Sequence, residues 1–256
     1  MTSYRALAAL FGAMLLGACD KNAVQDIAGP PLATSIRFFN FGVGAPAVNF
    51  YANTTKMTAI SSATGVESTN GVAYGSVGSG GYYATIAPGT YAITGRIAAT
   101  TDKDLAIATL NANLAAGKQY SFFMSGIYSA TAKSVDGFVV EDPVPATIDY
   151  SVATVRFVNA ISNSSAMTLY ARHQTTGQEV AIGAAVAYKA GGAFVNVPNG
   201  LYDLAVRVTG STSNAIVRTG VSFSAGRVYT IGARGDMTVT STTSGNRPQL
   251  DNTANR

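Results

Sequence analysis

The sequence contains the same pattern twice, and this duplication constrains the fold more than any other feature. Residues 35–40 read SIRFFN and residues 154–159 read TVRFVN, so arginine, phenylalanine and asparagine recur at the same spacing. Two units of roughly 110 residues exceed the period of about 20–50 residues that solenoids show. We therefore expect two copies of one domain. The halves align in three blocks, which pair residues 35–53 with 154–172, 82–93 with 193–204, and 106–126 with 215–235.

Each copy has the composition and the turn signals of a β-sheet protein. Charged residues make up only 12% of a chain with 13 tyrosines, 11 phenylalanines and 27 glycines, and such chains favour strands joined by tight turns. Pro88-Gly89 predicts a type II turn, and Asn199-Gly200 predicts a hairpin. About six or seven short strands in each copy, with frequent turn signals between them, predict two tandem β-sandwiches.

The aromatic and amide residues that recur in both copies are interpreted as structural. Asn40 and Asn159 are expected to fix the turn after the first strand of each copy. Three tyrosine pairs are predicted to lie in the core or at the sandwich edge with hydroxyls on backbone partners, and an exposed aromatic platform for sugars is the alternative. The pairs are Tyr51/Tyr170, Tyr91/Tyr202 and Tyr120/Tyr229.

Arginine also recurs at one matched position, in the first strand of each copy. Because side chains alternate along a strand, Arg37 and Arg156 are predicted to point to the opposite sheet face from Phe38 and Phe157. We expect each arginine to be a solvent-facing charge with its stem packed on the sheet. The alternative is an anion-binding role.

The N-terminus predicts export and a lipid anchor. Arg5 precedes an apolar run at residues 6–16, which is too short to span a bilayer as a helix. Leu16-Gly17-Ala18-Cys19 then resembles the lipobox of bacterial lipoproteins, in which the signal peptidase cuts before a cysteine that becomes acylated. Cys19 is the only cysteine in the chain. We predict lipid attachment at Cys19; the alternative is an ordinary signal peptide with an incidental cysteine.

Domain boundaries follow from composition. Acids and prolines are rare in central strands, so Glu141-Asp142-Pro143 predicts the junction between the copies. The polar C-terminus predicts a loose end. The predicted segments are a signal peptide at 1–18, the lipidated cysteine and a tether at 19–34, a first β-sandwich at 35–145, a second at 146–240, and a flexible tail at 241–256.

Three motifs together resemble domain-of-unknown-function family 4397 over residues 35–240. They are Arg-Phe-x-Asn at a strand start, Pro-Gly-Thr-Tyr at residues 88–91, and Ala-Gly-Lys-x-Tyr at residues 116–120. The resemblance implies an immunoglobulin-like sandwich in an exported bacterial protein, often in tandem copies and often lipid-anchored, with no established activity. The chain departs from the family's pattern at Asn49 and Thr168, where the family usually has an aspartate.

Few residues could support catalysis or metal binding. His173 is the only histidine, and its neighbours predict a solvated turn in preference to a catalytic triad. Zinc sites need several histidine or cysteine ligands. Asp102 and Asp104 are interpreted as a solvated loop, and a calcium site there is the alternative. We predict no cofactor, no metal and no catalytic residue.

Charge and anchoring together predict a location and a class of partner. Residues 20–146 carry seven basic and eight acidic side chains, whereas residues 147–256 carry nine and five. The basic second copy favours an anionic envelope polymer, a glycan or an envelope protein as partner and gives no sign of nucleic-acid binding. The leading hypothesis is a lipid-anchored binding, adhesion or spacing module of the bacterial cell envelope. The alternatives are an envelope hydrolase that uses His173 and an assembly subunit that pairs through edge strands.

Overall fold

Strands form almost all of the regular structure in the computed structural model, which describes residues 33–58 and 70–255. The first copy contains, in chain order, β1 (Thr34–Val43), β2 (Val48–Ala52), β3 (Thr55–Lys56), β4 (Ser76–Val77), a 3-10 helix (Gly78–Gly81), β5 (Ala84–Ile86), β6 (Gly89–Ile97), β7 (Ala106–Leu114), β8 (Gln119–Ser129) and β9 (Ser134–Glu141). The second copy contains β10 (Val152–Asn159), β11 (Met167–His173), β12 (Glu179–Ala181), β13 (Ala190–Gly191), β14 (Val195–Pro198), β15 (Gly200–Val208), β16 (Ile216–Phe223), β17 (Val228–Arg234) and β18 (Gln249–Ala254). Within the described ranges, no helix is long and apolar enough to cross a bilayer.

Each copy is a sandwich of two sheets with the same topology. In the first copy, one sheet has the order β3-β2-β6-β7 and the other β4-β1-β8-β9, with β5 also paired to β1. In the second copy, the orders are β12-β11-β15-β16 and β13-β10-β17-β18, with β14 also paired to β10. β1 and β10 pair in parallel with β8 and β17, and the other pairings are antiparallel. The predicted tandem, immunoglobulin-like all-β fold is thus confirmed.

A separate hydrophobic core fills each sandwich. In the first copy, the rings of Phe38 and Phe50 stack with their centroids 5.2 Å apart, and both are buried. In the second copy, Phe157 and Leu204 are buried in the equivalent core. Burial of such side chains, each contributing on the order of 1.5–3 kcal/mol, stabilises the sandwiches in the absence of disulfides.

A third apolar cluster joins the two sandwiches. Side chains alternate along β1, so Phe38 packs in its own core while Phe39 and Phe41 lie on the opposite face of the sheet. These two rings pack with others from the first copy and with β10 of the second copy, which makes the sheets of β1 and β10 neighbours. We call this set the interface cluster; its buried members are Phe39, Phe41, Phe123, Phe138, Val158 and Ala160.

The prediction of a hairpin at Asn199-Gly200 is wrong. β14 before this pair belongs to the β10 sheet, and β15 after it belongs to the β11 sheet, so the chain crosses between sheets. The hydroxyl of Tyr202 donates to the Pro198 carbonyl at 2.7 Å and fixes this corner. A Cβ at position 200 would collide with the imidazole of His173, so any other residue there would force that side chain to move.

Pro88-Gly89 forms the equivalent crossing in the first copy, so the predicted type II turn is also wrong. β5 pairs with β1, whereas β6 pairs with β2 and β7. Gly89 has a φ of 153°, well away from the roughly +80° of a type II turn. The hydroxyl of Tyr91 donates to the Ala87 carbonyl at 2.9 Å. This bond is the equivalent of the one from Tyr202 to Pro198 in the second copy.

Residues 249–254 form a paired strand, although the sequence predicted a flexible tail over residues 241–256. β18 pairs along its whole length with β17, and Leu250 is buried in the core of the second sandwich. The pairing between Tyr229 and Ala254 places the end of this strand beside the start of β17. The polar composition of these residues gave the wrong prediction because β18 is an edge strand, in which only one of the six residues is fully buried.

The matched asparagines and two of the tyrosine pairs behave as predicted. Both asparagines are buried and bond to the segment after the first strand: Asn40 donates from Nδ2 to the Pro46 carbonyl at 3.2 Å, and Asn159 Oδ1 accepts from the Ile161 N–H at 3.0 Å. Tyr120 and Tyr229 accept hydrogen bonds from the backbone N–H groups of Ala115 and Ser224, each at 3.1 Å. Together with Tyr91 and Tyr202, these residues confirm the predicted backbone partners.

The third tyrosine pair has a different environment. Tyr51 lies beneath the guanidinium of Arg96, whose Cζ is 4.5 Å from the ring centroid. Tyr170 lies in the same way beneath Arg207, at 4.2 Å. Since each ring has an arginine over one face, this pair forms cation–π contacts and does not present that face as an open platform for sugars.

Candidate functional site between the two sandwiches

Arg37 and Arg156 are among the most deeply buried side chains of the described residues. Each lies in the first strand of its copy and on the face opposite the neighbouring Phe38 or Phe157, as predicted. That face is covered by the other sandwich, however, and both side chains are essentially inaccessible to solvent. The prediction of solvent-facing charges is therefore wrong, because alternation along a strand fixes the face of a side chain but not what packs on it.

Asp142 supplies the carboxylate between these two arginines. It follows β9 directly and is buried. Its Oδ1 forms an ion pair with Nη2 of Arg156, and its Oδ2 lies 3.8 Å from Nε of Arg37. Oδ2 also accepts hydrogen bonds from the hydroxyls of Ser121 and Tyr83, both at 2.6 Å. One acid from the segment between the copies thus contacts both repeated arginines.

The other donors of the two guanidinium groups are also used within the protein. Arg37 donates to Ser121 Oγ at 3.0 Å and to the Ala254 carbonyl at 2.9 Å. Arg156 donates to Thr230 Oγ1 at 3.0 Å and to the Glu141 carbonyl at 2.9 Å. We call this set the interdomain network; it comprises Arg37, Tyr83, Ser121, Asp142, Arg156, Thr230 and Asn255.

The interdomain network holds two positive charges around one negative charge, away from water. Burial lowers the pKa of Arg37, and the positive charge of Arg156 adds to this effect while Tyr83 and Asp142 oppose it. Burial raises the pKa of Tyr83, with a further rise from Asp142. The ring of Tyr83 lies 4.7 Å from the Arg37 guanidinium and helps to stabilise it. With their donors satisfied internally, these arginines join the sandwiches and do not offer an anion site.

A groove opens beside this network, between residues 77–83 of the first copy and β18 of the second. Its volume is about 460 Å³, and its lining includes Tyr82, Tyr83, Arg227, Asn252 and Asn255. The Nδ2 of Asn255 donates to the Tyr83 hydroxyl at 2.9 Å, which connects the floor of the groove to the interdomain network. We call this cleft the interdomain groove. It contains side chains from both copies, so it exists only because the copies pack together.

Tyr188 forms a second polar contact across the interface. It lies before β13 in the second copy, and its hydroxyl is 3.0 Å from Ser125 Oγ and 3.2 Å from Asp136 Oδ2 of the first copy. The adjacent Lys189 forms an ion pair with Asp136 at 2.6 Å. Burial, with a smaller contribution from Asp136, raises the pKa of the Tyr188 hydroxyl to about 12.

This pKa predicts a loss of stability at alkaline pH. In the unfolded chain, Tyr188 loses its proton near pH 10, whereas in the folded protein it holds the proton until about pH 12. Its contribution to the free energy of unfolding is therefore complete below about pH 10 and is lost as the pH rises toward 12. Urea unfolding across this range should show a smaller alkaline loss for Tyr188→Phe than for the parent protein. Tyr150→Phe, at an exposed ring, is the control that should leave the pH profile unchanged.

His173 has the environment of a turn residue. Its Nδ1 accepts hydrogen bonds from the backbone N–H groups of Thr175 at 3.1 Å and Thr176 at 3.3 Å. Its ring lies edge-on to Tyr202, with centroids 4.9 Å apart. Among the described residues, no carboxylate and no hydroxyl is hydrogen-bonded to His173. The geometry therefore does not supply the acid and nucleophile of a triad.

The other residues that the sequence singled out do not form a site. Asp102 is paired with the exposed Lys133 at 2.7 Å, and both side chains are solvated. In the part of the chain that the structure covers, no three histidine, cysteine, aspartate or glutamate residues are grouped so as to hold a metal ion. Cys19, the predicted lipid attachment site, lies outside the described residues.

The family profile of DUF4397, a domain of unknown function, matches residues 34–151 and again residues 153–254. The chain belongs to this family. The two matches cover the two sandwiches, and the second reaches the end of β18. No curated protein matches the chain. Membership of DUF4397 thus confirms the predicted tandem copies and gives no activity.

Asp142 and Tyr83 belong to the site although neither was predicted as a site residue from the sequence. A signal for Asp142 was nonetheless present, since the copies share a buried-face arginine, at Arg37 and Arg156, but no matched acid. Two basic residues on facing sheets need a counter-charge, and Asp142 is one of two acids at the predicted junction. The signal for Tyr83 was its alignment with Phe194, because each of these rings lies against the first-strand arginine of its copy, Arg37 or Arg156.

Proposed function

We propose that this DUF4397 protein is a lipid-anchored cell-envelope protein whose paired sandwiches act as one binding, adhesion or spacing module. The observation that carries the proposal is the buried Arg37–Asp142–Arg156 contact, which joins the copies into one body. Two flexibly linked domains would each present a separate surface, whereas one body presents a fixed surface that includes a groove. The N-terminal sequence around Cys19 supports attachment of that body to a membrane.

The charge distribution supports a partner in the envelope. The second copy and its flanking residues carry a net charge of +4, from nine basic and five acidic side chains. Arg227 and Arg247 are exposed or partly exposed in this copy. Cationic surfaces favour association with anionic polymers, at rates that fall as salt increases.

The hydrolase alternative lacks support from the geometry of His173, which hydrogen-bonds to its own turn. The assembly alternative has one observation in its favour. β7 is an edge strand whose nine residues carry no charged side chain, and such edges are open to pairing with another strand. Sedimentation of the purified protein over a range of concentrations tests this second candidate, since a strictly monomeric protein would exclude self-pairing through β7.

The anchor predicts a specific labelling result. Cells that express the protein and are fed labelled palmitate should incorporate label into the parent chain, whereas Cys19→Ala should incorporate none and should leave the membrane fraction. Several acyl chains on one residue hold a protein on a membrane far more firmly than a single chain does. Asp20→Ala is the matched control that should keep the label. Label that persists in Cys19→Ala would contradict attachment at this residue.

A further inference from the structure

We infer that the interdomain groove is a saccharide-binding site that takes a short segment of a hydroxyl-rich, acidic glycan. The inference rests on the proposed binding function and names the class of ligand. The groove has a volume of about 460 Å³, which lies within the range of roughly 300–1,000 Å³ that small-molecule sites occupy. It is lined by residues of both copies and lies beside the buried interdomain network.

Tyr82 provides an apolar surface at this site. Its side chain is 79% exposed, although it lies in an otherwise ordered segment between the 3-10 helix and β5. A tyrosine ring combines an apolar face with a polar edge, which is why tyrosine is enriched at binding interfaces. The C–H face of a pyranose ring offers the flat, weakly polar surface that such a ring can stack on. Gly80 and Gly81 precede Tyr82 and leave the groove without bulky side chains at this end.

Asn252 provides an unused acceptor in the same groove. Its Oδ1 is buried and has no hydrogen-bond partner among the described residues. A buried acceptor without a donor is unfavourable. Because Asn252 lines the groove, rotation of its side chain toward the groove would let this oxygen accept from a ligand hydroxyl and remove that cost. Sugar hydroxyls can donate and accept at the same atom, which suits a groove lined by asparagine, threonine and tyrosine side chains.

Other groups on the groove wall are fixed in place before any ligand arrives. The Nδ2 of Asn255 donates to Tyr83, and its Oδ1 accepts from Thr230 at 2.8 Å. Such prior ordering lowers the entropy that binding must overcome. Arg227 lines the groove and is exposed, and no carboxylate of the described residues forms an ion pair with it. Its guanidinium is available to a carboxylate or sulfate group, which favours an acidic glycan over a neutral one.

Saccharide binding can be tested on the full-length protein, purified in a detergent without a sugar headgroup. The probes are three trisaccharides, namely a trimer of galacturonic acid, a trimer of N-acetylglucosamine and maltotriose, and saturation-transfer NMR and calorimetry detect their binding. We expect the galacturonic acid trimer to bind most tightly. Tyr82→Ala and Asn252→Ala should each weaken it about five- to tenfold, and Arg227→Ala should remove the preference for the acidic trimer.

Tyr150→Ala is the matched control, because this tyrosine is also 79% exposed but does not line the groove. It should leave binding unchanged, and all four variants should keep the melting temperature of the parent protein. Absence of binding by all three trisaccharides would overturn the inference, as would equal binding by the parent and Tyr82→Ala. Binding of an extended peptide along β18 in place of any sugar would also overturn it. None of these results bears on the labelling of Cys19, so failure of the groove and failure of the anchor are distinguishable.

Discussion

Replacing Asp142 with alanine is expected to lower the free energy of unfolding by about 3–5 kcal/mol. The substitution leaves Arg37 and Arg156 buried at the interface without a counter-charge, and it removes the acceptor of the Ser121 and Tyr83 hydroxyls. Removing one partner of a buried ion pair is costly because the remaining charge cannot be solvated. Urea unfolding followed by circular dichroism measures the effect.

Glu141 provides a closely matched control for this substitution. It is the preceding residue, it is also an acid, and its carboxylate pairs with Lys118 at 2.7 Å, but both side chains are well exposed. Glu141→Ala should change the free energy of unfolding by less than about 1 kcal/mol, since the backbone carbonyl that accepts from Arg156 is retained. Similar effects for Glu141→Ala and Asp142→Ala would show that the interdomain network does not stabilise the protein.

Phe123→Ala is expected to lower the free energy of unfolding by about 3–5 kcal/mol. Phe123 lies at the centre of the interface cluster, where its ring stacks on Phe39 at 4.4 Å and on Phe138 at 5.2 Å. It also contacts Phe41, with centroids 5.5 Å apart. Truncation would leave a cavity between sheets that belong to different copies. Thermal and urea unfolding would both report the loss.

Ile127 lies on the same strand as Phe123 but at its exposed end, so Ile127→Ala is the control. Its effect should stay within about 0.5 kcal/mol, as is usual for surface positions. A loss of less than about 1 kcal/mol for Phe123→Ala would contradict a tightly packed interface. Such a result would mean that the two sandwiches separate readily in solution.

Much of the fold could be predicted from the sequence, because the duplication repeats the residues that determine local structure. The corner tyrosines Tyr91 and Tyr202 donate to backbone carbonyls four residues earlier, and Asn40 and Asn159 each bond to a backbone group in the segment just after their strand. Their roles therefore depend on local geometry that a single strand or turn already fixes. The tandem copies and the all-β class follow from the same local signals.

The errors arose where the outcome depended on a distant part of the chain. Asn199-Gly200 favours a turn, but the turn signal does not say whether the next strand returns to the same sheet or crosses to the other. The composition of residues 249–254 does not reveal that β17 has a free edge for them. Arg37 and Arg156 were assigned to the correct face, but that face is buried because each copy covers the other.

The candidate site was less predictable than the fold for the same reason. Tyr83 aligns with Phe194, and Asp142 occupies the position that Asn255 has after the last strand of the second copy. The matched positions carry different residue types, so they form no shared motif. The interdomain groove involves Tyr82 and Asn252, which are far apart in the sequence and meet only when the sandwiches pack together. A binding site made by the packing of two repeats leaves no contiguous motif.

The interdomain network and the interface cluster are expected to make the two sandwiches one cooperative unit. Ala52 and Ala171 are buried at equivalent positions in the two cores, so Ala52→Cys and Ala171→Cys, each in a Cys19→Ser background, place one thiol in each sandwich. Thiol labelling during urea unfolding then reports the midpoint of each copy separately. Coincident midpoints, which separate when Asp142→Ala is added, are the expected result. Two distinct midpoints with Asp142 intact would contradict this cooperativity.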